Sequence, residues 1–200
     1  MKKILCLLAL LIFASPAHST VIFDTGQPDY LSQGWLLNTN QWLAAEFDVD
    51  SAYTVTDIQG FMFVNYGGIL DITLYEGTDR IFSTSMEVSP TYGWTGASNL
   101  DWTIQLGTYW IAFETEDTGF EAGMPWGAPN STGDEFYTYN GKYYNPEDWG
   151  YDRLNLGVKI EGDEVNLSQS SVPEPATMLL LGSGMFVLGM FGRSKRLFKN

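Results

Sequence analysis

The chain has 200 residues, of which 44% are hydrophobic and 15% aromatic, a formal net charge of −14, one cysteine (Cys6) and one histidine (His18). Between Thr20 and Ser171 both residue types are missing, which excludes Ser-His-Asp and Cys-His nucleophiles, ordinary zinc sites and disulfides there. In that span Arg80, Lys142, Arg153 and Lys159 stand against 23 acidic residues, a formal charge of −19. Such a surface repels nucleic acid and anionic lipid, which need clustered Lys or Arg, so no nucleic-acid partner is expected.

The chain opens on Lys2-Lys3 and an apolar run over 4–14 that is too short to span a bilayer comfortably. Ala17-His18-Ser19 then offers small residues at the −3 and −1 positions of a signal-peptidase site. Residues 1–19 are therefore expected to be a signal peptide, cleaved after Ser19 or alternatively after Ala17. Cys6 lies inside the apolar run, not after it, which argues against a lipoprotein.

From residue 20 the period is two. Leu43, Ala45, Phe47 and Val49 alternate with Ala44, Glu46 and Asp48, and Leu70, Ile72 and Leu74 alternate with Asp71 and Thr73. Leu100, Trp102, Ile104 and Leu106 against Asp101, Thr103 and Gln105 make the clearest predicted strand. Tyr109, Ile111 and Phe113 follow, set against Trp110, Ala112 and Glu114, and Leu156, Val158 and Ile160 form the last strand. Turn signals such as Tyr66-Gly67-Gly68, Gly77-Thr78-Asp79 and Asn140-Gly141 separate them, and no stretch keeps a helical period. Short amphipathic strands without helices predict an all-β domain over 20–168: an antiparallel, jelly-roll-like β-sandwich.

Three features of this domain could carry function. The segment 136–151 interleaves aromatics with Asn, Asp and Glu, and Tyr143, Tyr144, Trp149 and Tyr151 are its candidate ligand contacts. Aromatic planes cover the apolar face of a pyranose while amides and carboxylates accept from its hydroxyls, so polysaccharide is the expected ligand class. Within the segment, Tyr137 and Tyr139 look like one face of a strand. Trp126, in the Pro-bounded loop Met124-Pro125-Trp126-Gly127-Ala128-Pro129, is a further candidate lining residue. The third feature is acid clustering at strand ends: Asp48 and Asp50 with Asp57, then 114–117 and 161–164. Only oxygen ligands are on offer, so a bound metal would be hard, calcium first, with Asp48, Asp50 and Asp57 as its ligands. No other cofactor is expected.

The end of the chain is the most specific part. Residues 169–175 form a linker closing on Val172-Pro173-Glu174-Pro175, whose two prolines stop a helix from starting earlier. An apolar run, 176–192, follows; as a helix it would reach roughly 25 Å, near the bilayer core of about 30 Å. The basic end, 193–200, would then lie at the cytoplasmic surface. Motif, apolar run and basic end together resemble the PEP-CTERM tail of bacterial exported proteins. The resemblance implies a transmembrane helix in the inner membrane, processing by an exosortase-type protease, and signal peptidase as the other processing partner. The core would sit outside the cytoplasm, first anchored and then at the cell surface or extracellular. The strand pattern, with Leu106-Gly107-Thr108-Tyr109-Trp110-Ile111 and the closing Gly157-Val158-Lys159-Ile160-Glu161-Gly162, is similar to β-sandwich domains carried ahead of such tails. A surface or matrix protein without catalysis is expected, binding exopolysaccharide. The alternatives are a structural protein packing against copies of itself and a small jelly-roll glycoside hydrolase or lyase.

Overall fold

A computed structural model describes residues 19–29, 34–130, 133–140, 142–144 and 153–165. The chain divides into two units, Met1–Val165 and Asn166–Asn200. The first holds every described residue; the expected signal peptide up to residue 18, the boundary at 168, the linker and the apolar run lie outside them. All regular structure among the described residues is strand: β1 Thr20–Asp24, β2 Gly34–Leu37, β3 Leu43–Val49, β4 Tyr53–Tyr66, β5 Gly68–Glu76, β6 Asp79–Val88 and β7 Thr91–Ala97. There follow β8 Trp102–Ile104, β9 Gly107–Glu114, β10 Glu121–Pro125, β11 Glu135–Tyr139, β12 Lys142–Tyr144 and β13 Val158–Glu164.

The strands form two antiparallel sheets. The six-stranded sheet runs β12-β11-β3-β9-β5-β6, and the seven-stranded one runs β1-β13-β4-β10-β2 with β7 and β8 also paired to β4. The chain crosses between sheets at most connections, the alternation expected of a jelly-roll-like sandwich. The core lies between them. Leu43, Ala45, Phe47 and Val49 of β3, Leu70, Ile72 and Leu74 of β5, and Tyr109, Ile111 and Phe113 of β9 are all buried, as their alternation requires. From the other sheet come Val55, Ile58, Met62 and Val64 of β4, with Val158 and Ile160 of β13.

Two elements depart from expectation. The strand predicted over 100–106 narrows to β8, three residues long, and Leu106 is 70% exposed. Its partner explains this: β8 pairs only with Tyr53, Thr54 and Val55 of β4, because β7 takes the same strand from Ile58 onward. The converse case is β4 itself, 14 residues long, which alternation does not pick out. In its middle Phe61 and Met62 are both buried, so the two-residue period disappears. Met62 belongs to the core, whereas Phe61 is met edge-on by Tyr92 and Trp94 of β7 at 5.5 and 5.4 Å.

The seam between the sheets beside β8 is closed by Trp102, whose ring stacks on Phe82 of β6 at 5.4 Å and 7°. Because Trp102 is only 8% exposed, Trp102→Ala is expected to lose about 3–5 kcal/mol of stability. Urea denaturation checks this; a loss under about 1 kcal/mol would show that the seam repacks without the ring.

Candidate functional site

The outer face of the six-stranded sheet carries a concavity lined by several aromatic residues. On a strand buried on one side, the alternate residues should be polar. Here Ala44 of β3 lies opposite Ala112 of β9 on one side and Phe136 of β11 on the other, and Ala112 lies opposite Thr73 of β5. In the next row Trp110 lies opposite Tyr75. Two small residues at the centre of this face leave a floor that larger neighbours surround. Trp110 and Phe136 meet at 4.8 Å, and together with Trp42 and Tyr75 they line a groove of about 500 Å³.

One carboxylate reaches this groove. Glu114, 6% exposed, accepts from the Tyr75 hydroxyl on Oε1 at 2.7 Å and from Thr73 Oγ1 on Oε2 at 3.1 Å. Arg80 donates to Thr73 Oγ1 at 3.2 Å and to Ser83 Oγ at 2.5 Å, extending the network to β6. Trp42 is held at both ends: its backbone N–H donates to Thr138 Oγ1 (2.8 Å) and its indole Nε1–H to the Thr115 carbonyl (3.1 Å). The arrangement offers aromatic planes and a fixed acceptor, the pairing that suits a polyhydroxylated ring.

The residues singled out from sequence fall in several places. Trp149, Tyr151 and the Tyr143 side chain lie outside the described residues. Tyr144 is half-buried and stacks on Tyr137 at 5.6 Å; Tyr137 stacks on Trp35 at 5.7 Å, and Trp35 meets Trp126 edge-on at 6.2 Å. Tyr144 and Trp126 thus belong to one aromatic row that passes through the core at buried Tyr137. Phe136 and Thr138, from the same aromatic segment, do line the groove. Trp42, Tyr75 and Trp110 were not singled out, and Glu114 stood out only as part of the acidic strand end 114–117. Their signal was the presence of Trp110 and Ala112, with Trp42 and Ala44, at positions that alternation assigns to the wet face.

The acidic residues fall in two places. Asp48 and Asp50 line a shallow cleft with Tyr53 and Leu106, and Asp48 accepts from Thr108 Oγ1 at 2.5 Å. Asp57 instead lies on β4 opposite Glu161. It contributes to the field around Lys159, whose amine is raised above its ordinary value first by its bond to Glu161. Among the described residues no three His, Cys, Asp or Glu side chains are grouped to hold a metal ion.

Residues 171–196 match the PEP-CTERM protein-sorting motif, a span that contains Val172-Pro173-Glu174-Pro175 and the apolar run. The chain carries a PEP-CTERM tail. The motif marks an exported protein, associated with the membrane through its tail, sorted to the cell surface and processed by an exosortase. No curated protein matches the chain. The matched span follows the sandwich in sequence without overlapping it, so the chemistry of the domain has to be read from the groove.

The turn after β9 positions the Trp42 wall. Thr115 Oγ1 donates to the Ile69 carbonyl at 2.7 Å and accepts the Asp117 N–H at 3.1 Å. The Asp117 carboxylate in turn accepts N–H groups from Gly119 (2.8 Å) and Ile69 (3.0 Å), which hold it below the ordinary aspartate range. A depressed carboxylate stabilises the fold above its ordinary value, and that contribution is lost as pH falls through the depressed one. Asp117→Asn should therefore lower the thermal midpoint at pH 7. The gap to the parent should shrink as the pH is lowered below about 4. A gap independent of pH, followed by differential scanning fluorimetry, would mean that the ionised carboxylate is not what holds the turn.

Proposed function

We propose that this PEP-CTERM protein is a saccharide-binding component of the cell surface, gripping exopolysaccharide in the groove of its six-stranded sheet without cleaving it. The observation that carries the reading is the groove itself: Trp42, Tyr75, Trp110 and Phe136 around an alanine floor, with one buried carboxylate. Stacked rings bind the C–H faces of sugars, and the acceptor orients their hydroxyls. Glycoside hydrolysis uses two carboxyl groups, about 5–5.5 Å apart for retention and about 6.5–9.5 Å for inversion. Among the described residues Glu114 is the only carboxylate lining the groove, which favours binding over a hydrolase. The charge of −19 over 20–171 favours a neutral polymer over an anionic one.

Trp110→Ala tests the reading, with affinity electrophoresis through neutral polysaccharide gels as the measurement. Loss of the ring should weaken retention by about tenfold or more, the equivalent of about 1.4 kcal/mol. The ring contact with Phe136 should account for a stability loss of only about 0.5–1.5 kcal/mol. Unchanged retention on every gel that holds the parent would remove the groove from the function and leave self-association as the better account.

The tail is proposed to be a transient anchor, cut at or near Pro173-Glu174-Pro175 in the native host. Intact-mass measurement of the surface form should then lack Arg193 to Lys199. A mass that retains them would instead make the anchor permanent.

A further inference from the structure

We infer that Glu114 sets the class of saccharide the groove accepts, admitting neutral sugars and turning away uronic acids. The inference rests on the proposed saccharide role of the groove and deepens it.

Glu114 is buried within an otherwise uncharged lining, and each of its oxygens already receives one protein hydroxyl, from Tyr75 and from Thr73. Arg80, the cation of this network, can only donate, and it does so to Thr73 and Ser83. Thr73 thereby has its acceptor side engaged and its own proton directed toward Glu114. A carboxylate oxygen accepts more than one hydrogen bond, so each Glu114 oxygen retains acceptor capacity and nothing to donate. A group placed beside it between the aromatic walls must therefore be a donor. A sugar hydroxyl meets that requirement. A sugar carboxylate does not, and it brings a like charge into a site where apolar walls reduce screening. Rings and alanines favour any pyranose face, and at about 0.1 M salt the charges more than about 10 Å away are largely screened, so within the groove the discrimination falls to this one side chain.

Titration calorimetry of the full-length protein, held in a detergent without a sugar headgroup, tests this. The probes are cellohexaose and maltohexaose, each beside the same hexamer with its C6 carbons oxidised to carboxylates. The parent should bind at least one neutral hexamer at least tenfold more tightly than its oxidised counterpart. Glu114→Gln, close in shape, should reduce that preference to under threefold. Glu164→Gln, which removes one exposed charge from the other sheet, should leave it intact. Glu114→Asp, which keeps the charge but shortens its reach, should lose affinity for the neutral hexamer and still reject the oxidised one; it also serves if the glutamine variant fails to fold by circular dichroism. If the parent binds both forms alike, or Glu114→Gln keeps the parent's preference, the inference is overturned while the saccharide reading stands. If the parent binds none of the four hexamers, the saccharide reading falls and takes the inference with it.

Discussion

The structure depends on one strand whose two edges are each shared. Along one side of β4 lie β13 and then β10, and along the other β8 and then β7; β1 and β2 join the sheet only through β13 and β10. Four neighbours on 14 residues leave little freedom of register, since a one-residue slip would turn every core side chain outward. The glycine at its centre is part of this. A Cβ on Gly60 would meet the Phe113 ring at 2.8 Å and the Met124 methyl at 2.9 Å. There β4 lies directly against the facing sheet, and the absent side chain is what lets the two layers close.

A second constraint ties the sheets through polar groups. Glu135 of β11, 3% exposed, accepts the backbone N–H groups of Leu154, Asn155 and Leu156 at 2.5, 2.9 and 3.1 Å. Those residues lead directly into β13, so one carboxylate on the six-stranded sheet fixes the approach to a strand of the other. On the opposite side of the same segment, Thr25 Oγ1 donates to the Leu156 carbonyl and accepts the Val158 N–H, both at 2.7 Å. A buried acid is tolerable because three donors converge on it, and leaving those N–H groups unmet would itself be costly. The chain thus uses side chains where a β-ladder would otherwise have to continue.

These two devices show how far the sequence could be read. Strands with one buried face, β3, β5 and β9, stood out because their apolar residues alternate. β4 did not, because Phe61 is covered by aromatics on the outer face while Met62 enters the core, and Gly60 looks like a breaker. Glu114 stood out only as part of an acidic strand end and Glu135 not at all, since the partners that bury them lie 19 or more positions away in sequence. The groove was half legible. Segment 136–151 supplied Phe136 and Thr138, but Trp42, Tyr75 and Trp110 come from three other places and are joined only by register. The sorting tail was fully legible because motif, run and basic end are contiguous.

The topology also separates the two ends of the domain's chain from its groove. Thr20 pairs with Gly162 and the Val165 N–H bonds to the Ala52 carbonyl, so the domain begins and ends at one end of the sandwich. Tyr53 and Ile22 share a cleft there with Asp48, Asp50 and Leu106, which places the Val49–Gly107 end of the six-stranded sheet on the same side. Trp42 precedes the opposite end of β3, and Glu114 closes the opposite end of β9. A polymer lying in the groove therefore passes beside the strand ends remote from both chain termini of the domain. On the proposed reading, anchoring through the tail and binding through the groove make demands on different ends of the same strands, and β3 and β9 span the distance between them with a continuous seven-pair register.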